Sequence, residues 1–96
     1  MTECSYKRIG AVKTAAAVLD RLAETHGAKA KELAEALQLP YGTVMSHLAT
    51  LSDCGYVRQE GERFVLGRKF AAYWAMLKAE LEEQRDKISS ALAALG

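Results

Sequence analysis

The sequence predicts a mainly α-helical fold: three helices, a β-hairpin, then one long helix. Three observations carry this. Apolar residues recur at helical spacing in three successive segments between Ala11 and Leu51. A β-branched and aromatic stretch, Tyr56 to Gly67, follows them with Glu60-Gly61 in its middle. Beyond it, Arg68 to Leu95 contains neither Pro nor Gly and is dominated by Ala, Leu, Glu and Lys, all strong helix formers. Three helices and a hairpin make a winged helix-turn-helix with the hairpin as wing, here followed by a C-terminal coiled-coil-like helix. The expected division is a flexible N-terminus over residues 1–8, a winged helix-turn-helix over 9–69 and a dimerisation helix over 70–96.

In the first helix, from about Ala11 to Thr25, the residues Val12, Ala15, Leu19, Leu22 and Ala23 give the apolar stripe. His26-Gly27 stops it, with Gly27 suited to a left-handed conformation after the helix end. The second helix, about Lys29 to Leu37, is short. It turns Ala30, Leu33, Ala34 and Leu37 inward and leaves Lys31, Glu32 and Glu35 as a solvated face. Only Gln38-Leu39-Pro40 separates it from the third, and so short a link forces a steep crossing of the two helices.

The third helix runs from Pro40 to Ser52. Proline is welcome in a first turn, whose N–H groups have no partners in the helix. Val44, Leu48 and Leu51 mark its apolar face. Gly42, Ser46, Ala49 and Thr50 lie opposite, flanked by Thr43 and Met45, and no charge occurs until Asp53. A short core helix fits this pattern when it is taken alone. Placed second in a helix-turn-helix, however, a face free of long charged side chains can approach a major-groove floor, where Ser, Thr and Met touch base edges and thymine methyls. The expected DNA-facing residues are Tyr41, Gly42, Thr43, Met45, Ser46 and Thr50.

Arg58 and Arg63 lie on the two arms of the hairpin. A two-residue loop at Glu60-Gly61 sets Val57 opposite Phe64 and Arg58 opposite Arg63, whereas a three-residue loop with Gly61 left-handed shifts the pairing by one. Opposed arginines repel unless an anion or water lies between them. A backbone phosphate suits them, and both are expected on DNA. Two solvated arginines balanced by Glu60 and Glu62 are the plainer alternative.

Within the long helix, Trp74, Leu77, Leu81, Gln84, Ile88, Ala91 and Leu95 alternate steps of three and four, the a/d seam of a coiled coil. At 1.5 Å per residue it spans ~40 Å, more than a small domain can cover. The seam residues Trp74, Leu77, Leu81, Gln84, Ile88 and Leu95 are therefore expected to pair with a second copy, with Gln84 fixing the register.

Composition narrows the function. The 96 residues are half hydrophobic and carry a formal charge of +1, so any DNA-facing surface is a local patch and not a global field. Residues 1–69 hold ten Lys/Arg against eight Asp/Glu. No apolar run approaches a membrane span and no secretory leader opens the chain, which makes the cytoplasm the expected location. Cys4, Cys54, His26 and His47 show no metal-ligand spacing, and no nucleophile elbow, phosphate loop or carboxylate pair is present. Neither a metal, a cofactor nor catalysis is expected.

Glu32-Leu33-Ala34, Leu39-Pro40, Thr43-Val44, Leu48-Ala49-Thr50-Leu51, Gly55-Tyr56-Val57 and Leu66-Gly67 occur in an order and spacing that resembles the N-terminal DNA-binding domain of IclR-type bacterial transcriptional regulators. The resemblance spans roughly residues 9–70. It implies a dimeric regulator that reads double-stranded operator DNA through the helix beginning at Pro40. Departures are local. Tyr41-Gly42 stands where such domains usually have a polar or basic residue followed by Ser, and Ser46 stands where Arg is common. His47 replaces an apolar residue. Twenty-seven residues follow Lys69, too few for the effector-binding domain of that family, so no small-molecule effector is expected. The competing reading, from another class, is a protein-interaction adaptor that uses the winged helix and the coiled coil without touching DNA.

Overall fold

A computed structural model describes residues 6–96. The expected flexible N-terminus thus falls largely outside the described residues, and Cys4 with it. Residues 6–9 have no regular structure. The elements then run α1 (Gly10–Thr25), β1 (Ala28–Lys29), α2 (Ala30–Leu37), α3 (Tyr41–Asp53), β2 (Val57–Glu60), β3 (Arg63–Leu66) and α4 (Arg68–Leu95). The three strands form an antiparallel sheet in the order β1-β3-β2.

The core lies where the first three helices meet the sheet. It consists of Val18 and Leu22 from α1, Ala28, Ala30 and Leu33 around α2, Val44, Leu48 and Leu51 from α3, and Val57 and Phe64 from the hairpin. The α3 stripe is the one the spacing predicts. On α1 the stripe is rotated: Val18 is fully buried, whereas Val12 and Ala23 face solvent and Ala15 and Leu19 are only half-buried. The reason is geometric. The core touches α1 along a narrow line through Val18 and Leu22, one i,i+4 step, and an Ala-rich helix has too many small residues for periodicity to select that line.

The end of α1 also differs from expectation. His26 takes the left-handed conformation (φ 57°), and Gly27, also at positive φ, follows it. The N–H groups of both reach the Leu22 carbonyl, which satisfies orphan groups at the helix end. The α2–α3 link uses the same device. Gln38 is left-handed (φ 56°), and the N–H of Leu39 donates to the Ala34 carbonyl at 3.0 Å. At the start of α2 the Glu32 carboxylate accepts the Lys29 N–H at 2.8 Å, the stabilising half of a capping box.

The hairpin register corrects both pairings weighed from the sequence. Val57 pairs with Leu66, Arg58 with Val65, Gln59 with Phe64 and Glu60 with Arg63, so the two-residue loop is Gly61-Glu62 and the arginines are not opposed. Gly61 occupies the first loop position with φ 64°, where a primed hairpin turn requires a positive φ that glycine adopts without strain. Strand β1 was not foreseen. It pairs Ala28 with Phe64 and Lys29 with Arg63, and two residues are too short for any alternation to reveal.

No residue of α4 is buried, and from residue 71 onward every residue is exposed. The radius of gyration is 18.9 Å, against ~12 Å for a compact chain of this length. The helix stands out from the body like a shaft. Its root is tight. Gly67 is buried and donates its N–H to the Tyr56 carbonyl at 2.8 Å. A Cβ there would collide with the Gly55 carbonyl oxygen and lie 2.9 Å from the Tyr56 carbonyl carbon. Only glycine lets the two backbones pass.

Candidate nucleic-acid interface

The site is built on the outer face of α3. Val44 and Leu48 are fully buried and Leu51 nearly so, which orients the helix and turns the opposite face outward. Tyr41 is 57% exposed and Met45 36%, while Gly42, Ser46, Ala49 and Thr50 are exposed and Thr43 is half-buried. Thr50 donates its hydroxyl to the Ser46 carbonyl at 2.9 Å. Its oxygen lone pairs remain free to accept. His47 is half-buried, with Nδ1 2.9 Å from the Thr43 carbonyl. A carbonyl can only accept, so Nδ1 carries the hydrogen and Nε2 of the neutral ring is left as an acceptor.

Beside this face a groove of 380 Å³ separates α3 from the wing and the start of α2. Its walls carry Tyr41 and Met45 from α3, Gln59, Glu62 and Phe64 from the hairpin, and Lys29 and Lys31. Sequence reasoning read the two lysines as part of a helix and its solvated face. No local signal marks them, because they come beside Tyr41 only once the two helices pack.

The wing arginines have separate fates. Arg58 pairs with Glu60 at 2.8 Å, both about half exposed. Arg63 reaches back across β1 and donates to the Gly27 carbonyl at 2.9 Å and the His26 carbonyl at 3.4 Å. Each guanidinium has five N–H donors, so both retain donors for another acceptor. The wing tip is balanced in charge, Glu60 and Glu62 against Arg58 and Arg63.

At the root of α4, Tyr56 sits between Phe70 (centroids 5.6 Å apart) and Tyr73 (6.4 Å), with the Lys69 ammonium 4.8 Å from its ring centroid. The Tyr56 and Tyr73 hydroxyls are 3.3 Å apart. That hydrogen bond raises the Tyr56 phenol above its ordinary value. The seam residues of α4 all face solvent: Trp74 is 60% exposed, Leu77 48%, Leu81 50%, Ile88 62% and Leu95 84%. Gln84 is exposed too, with Nε2 3.5 Å from a Glu80 carboxylate oxygen. Among the described residues no three His, Cys, Asp or Glu side chains gather into a metal-binding group, and no helix is long and apolar enough to cross a membrane.

Two packed helices joined through a left-handed turn, an outward-facing second helix and a three-stranded wing define a winged helix-turn-helix. The family model "IclR helix-turn-helix domain" matches residues 11–61, more than half of the chain. The chain belongs to that family of DNA-binding domains of transcription regulators. Among solved structures it is similar in fold to HmgR of Pseudomonas aeruginosa, with a TM-score of 0.66 and 24% identity over 74% of this chain. The chain spans only 32% of the length of HmgR. Comparison with curated proteins yields no match.

Proposed function

We propose that this protein regulates transcription by binding operator DNA as a homodimer. In each copy α3 lies in the major groove, where Thr43, Met45, Ser46 and Thr50 meet base edges. Tyr41 and Gly42 lie at the entry of the helix, close to the backbone. Arg58 and the free donors of Arg63 take phosphates along the wing, and Lys29 and Lys31 take others beside the groove. The two copies join along Trp74, Leu77, Leu81, Gln84, Ile88 and Leu95.

The observation that carries the reading is the character of the exposed α3 face. Tyr41, Gly42, Met45, Ser46, Ala49 and Thr50 give it uncharged side chains, most of them small, and Lys29 and Lys31 stand at its edge where β1 passes into α2. A face meant only for water would have no reason to exclude charge in a chain that is 26% charged. Phosphate contacts at the rim and uncharged contacts in the centre match the division of labour in DNA recognition.

Selection of bound sequences from a random duplex pool tests this directly. A palindromic consensus is expected, with binding that weakens by about one log unit per log unit of salt for each phosphate contacted. The net charge of +1 favours one competitor, a protein-docking adaptor. That reading prevails if no sequence is enriched and duplex affinity is absent at low salt.

A further inference from the structure

Among the described residues, an aromatic clasp at the root of α4 ties the shaft to the body. Phe70 is half-buried, and beyond it every α4 residue is exposed, with Tyr73 reaching back to Tyr56. The angle between shaft and body is therefore set within a single turn. On one side stand Gly55 and Tyr56, on the other Gly67, Lys69, Phe70 and Tyr73. Backbone contact at Gly67 fixes the pivot point, because its N–H bonds the Tyr56 carbonyl at 2.8 Å. A pivot point alone does not fix a direction. The direction is held by Tyr56, with Phe70 and Tyr73 tilted against its ring and the 3.3 Å hydroxyl contact to Tyr73 as the outermost tie.

We infer that Tyr56 and Tyr73 are positioning residues for operator recognition: their clasp sets the angle of α4 against the winged body and thereby the half-site spacing that the dimer accepts. The inference rests on the dimeric reading above. The leverage follows from dimensions. Helix α3 ends at Asp53, three residues before Tyr56 at the pivot, and its thirteen residues reach ~20 Å from there to the reading end at Tyr41. A swing of ~10° about the pivot moves that end by ~3.5 Å, about one base-pair step of ~3.4 Å. Because both copies swing, a loosened clasp spreads the reading helices over several spacings. Neither tyrosine lies on the DNA-facing surface or on the seam, so the clasp acts through geometry alone.

The test uses the full chain and the consensus half-site from the selected pool, arranged as palindromes whose centre-to-centre spacing varies in single base pairs across one helical turn. The parent is expected to favour its best spacing over the worst by ~100-fold, the gain from engaging the second half-site intramolecularly. In Tyr73→Ala and Tyr56→Leu, discrimination is expected to fall below ~10-fold. Affinity for a single half-site, sedimentation mass and melting temperature should stay close to the parent. Tyr73→Phe keeps the ring and is expected to retain most of the preference. A merely structural role would lower stability and half-site affinity together and leave the spacing profile its shape. If the parent discriminates and both variants discriminate as strictly, the inference is overturned and the dimeric reading stands. If the parent is indifferent to spacing, the dimeric reading fails and takes the inference with it.

Discussion

Ser46 is the residue on which the reading of DNA can be tested most cleanly. It is exposed, near the middle of α3, and its side chain makes none of the hydrogen bonds that hold the helix. Ser46→Glu would bring a carboxylate into a groove of negative potential and should abolish operator binding, with an unchanged melting curve because the core is untouched. A variant that binds as the parent does would show that α3 is not the reader. The wing arginines permit a finer dissection. Arg58→Ala should lower the slope of log affinity against log salt by about one unit and leave stability alone, since an exposed ion pair such as that with Glu60 contributes little. Arg63→Ala should lower the same slope and also cost ~1 kcal/mol of stability, because the Gly27 carbonyl loses the Arg63 donor and keeps only the Thr25 hydroxyl among its side-chain partners. Salt titrations and thermal melts of the two variants distinguish these outcomes.

The elements divide by how much each depends on distant neighbours. Helix α4 and the apolar face of α3 were legible because their signals are local: unbroken helix formers in one, Val44, Leu48 and Leu51 at i, i+4 and i+7 in the other. The hairpin was legible as an element but not in register. Gly61 fits either the second place of one loop or the first place of another, and both keep Val57 and Phe64 on the same face, so the alternation of side chains cannot choose between them. Strand β1 was illegible, since Ala28-Lys29 becomes a strand only because β3 lies beside it. Of the candidate interface, the α3 residues could be read from helical phase. Lys29 and Lys31 could not, because their place beside Tyr41 is a product of the helix crossing. Two substitutions test the turns. Gly67→Ala forces a methyl into the Gly55 carbonyl and should lower the melting temperature by ~10 °C, at ~2 kcal/mol and 4–8 °C per kcal/mol for a domain of this size. Gln38→Gly relieves a left-handed residue (φ 56°) that costs ~1 kcal/mol. It should leave the protein equally stable or slightly more so, as a thermal melt would register.

At the scale of the molecule the governing fact is a shaft with no cover. Leu77, Leu81 and Ile88 are each about half exposed or more, and burying a Leu or Ile side chain is worth about 1.5–3 kcal/mol. Pairing two shafts along this seam should therefore dominate the association energy. Sedimentation equilibrium at tens of micromolar should show a dimer for the parent and a monomer for Ile88→Glu. A monomeric parent would end the dimeric reading. The two-residue strand β1 has a consequence of another kind. By pairing with Phe64 and Arg63 it laces the entry of α2 to the inner arm of the wing, so neither can loosen while the other holds. Native-state amide exchange should find the two segments opening together as one cooperative unit. On that expectation no population should exist in which the entry of α2 is ordered while the inner arm of the wing has come undone.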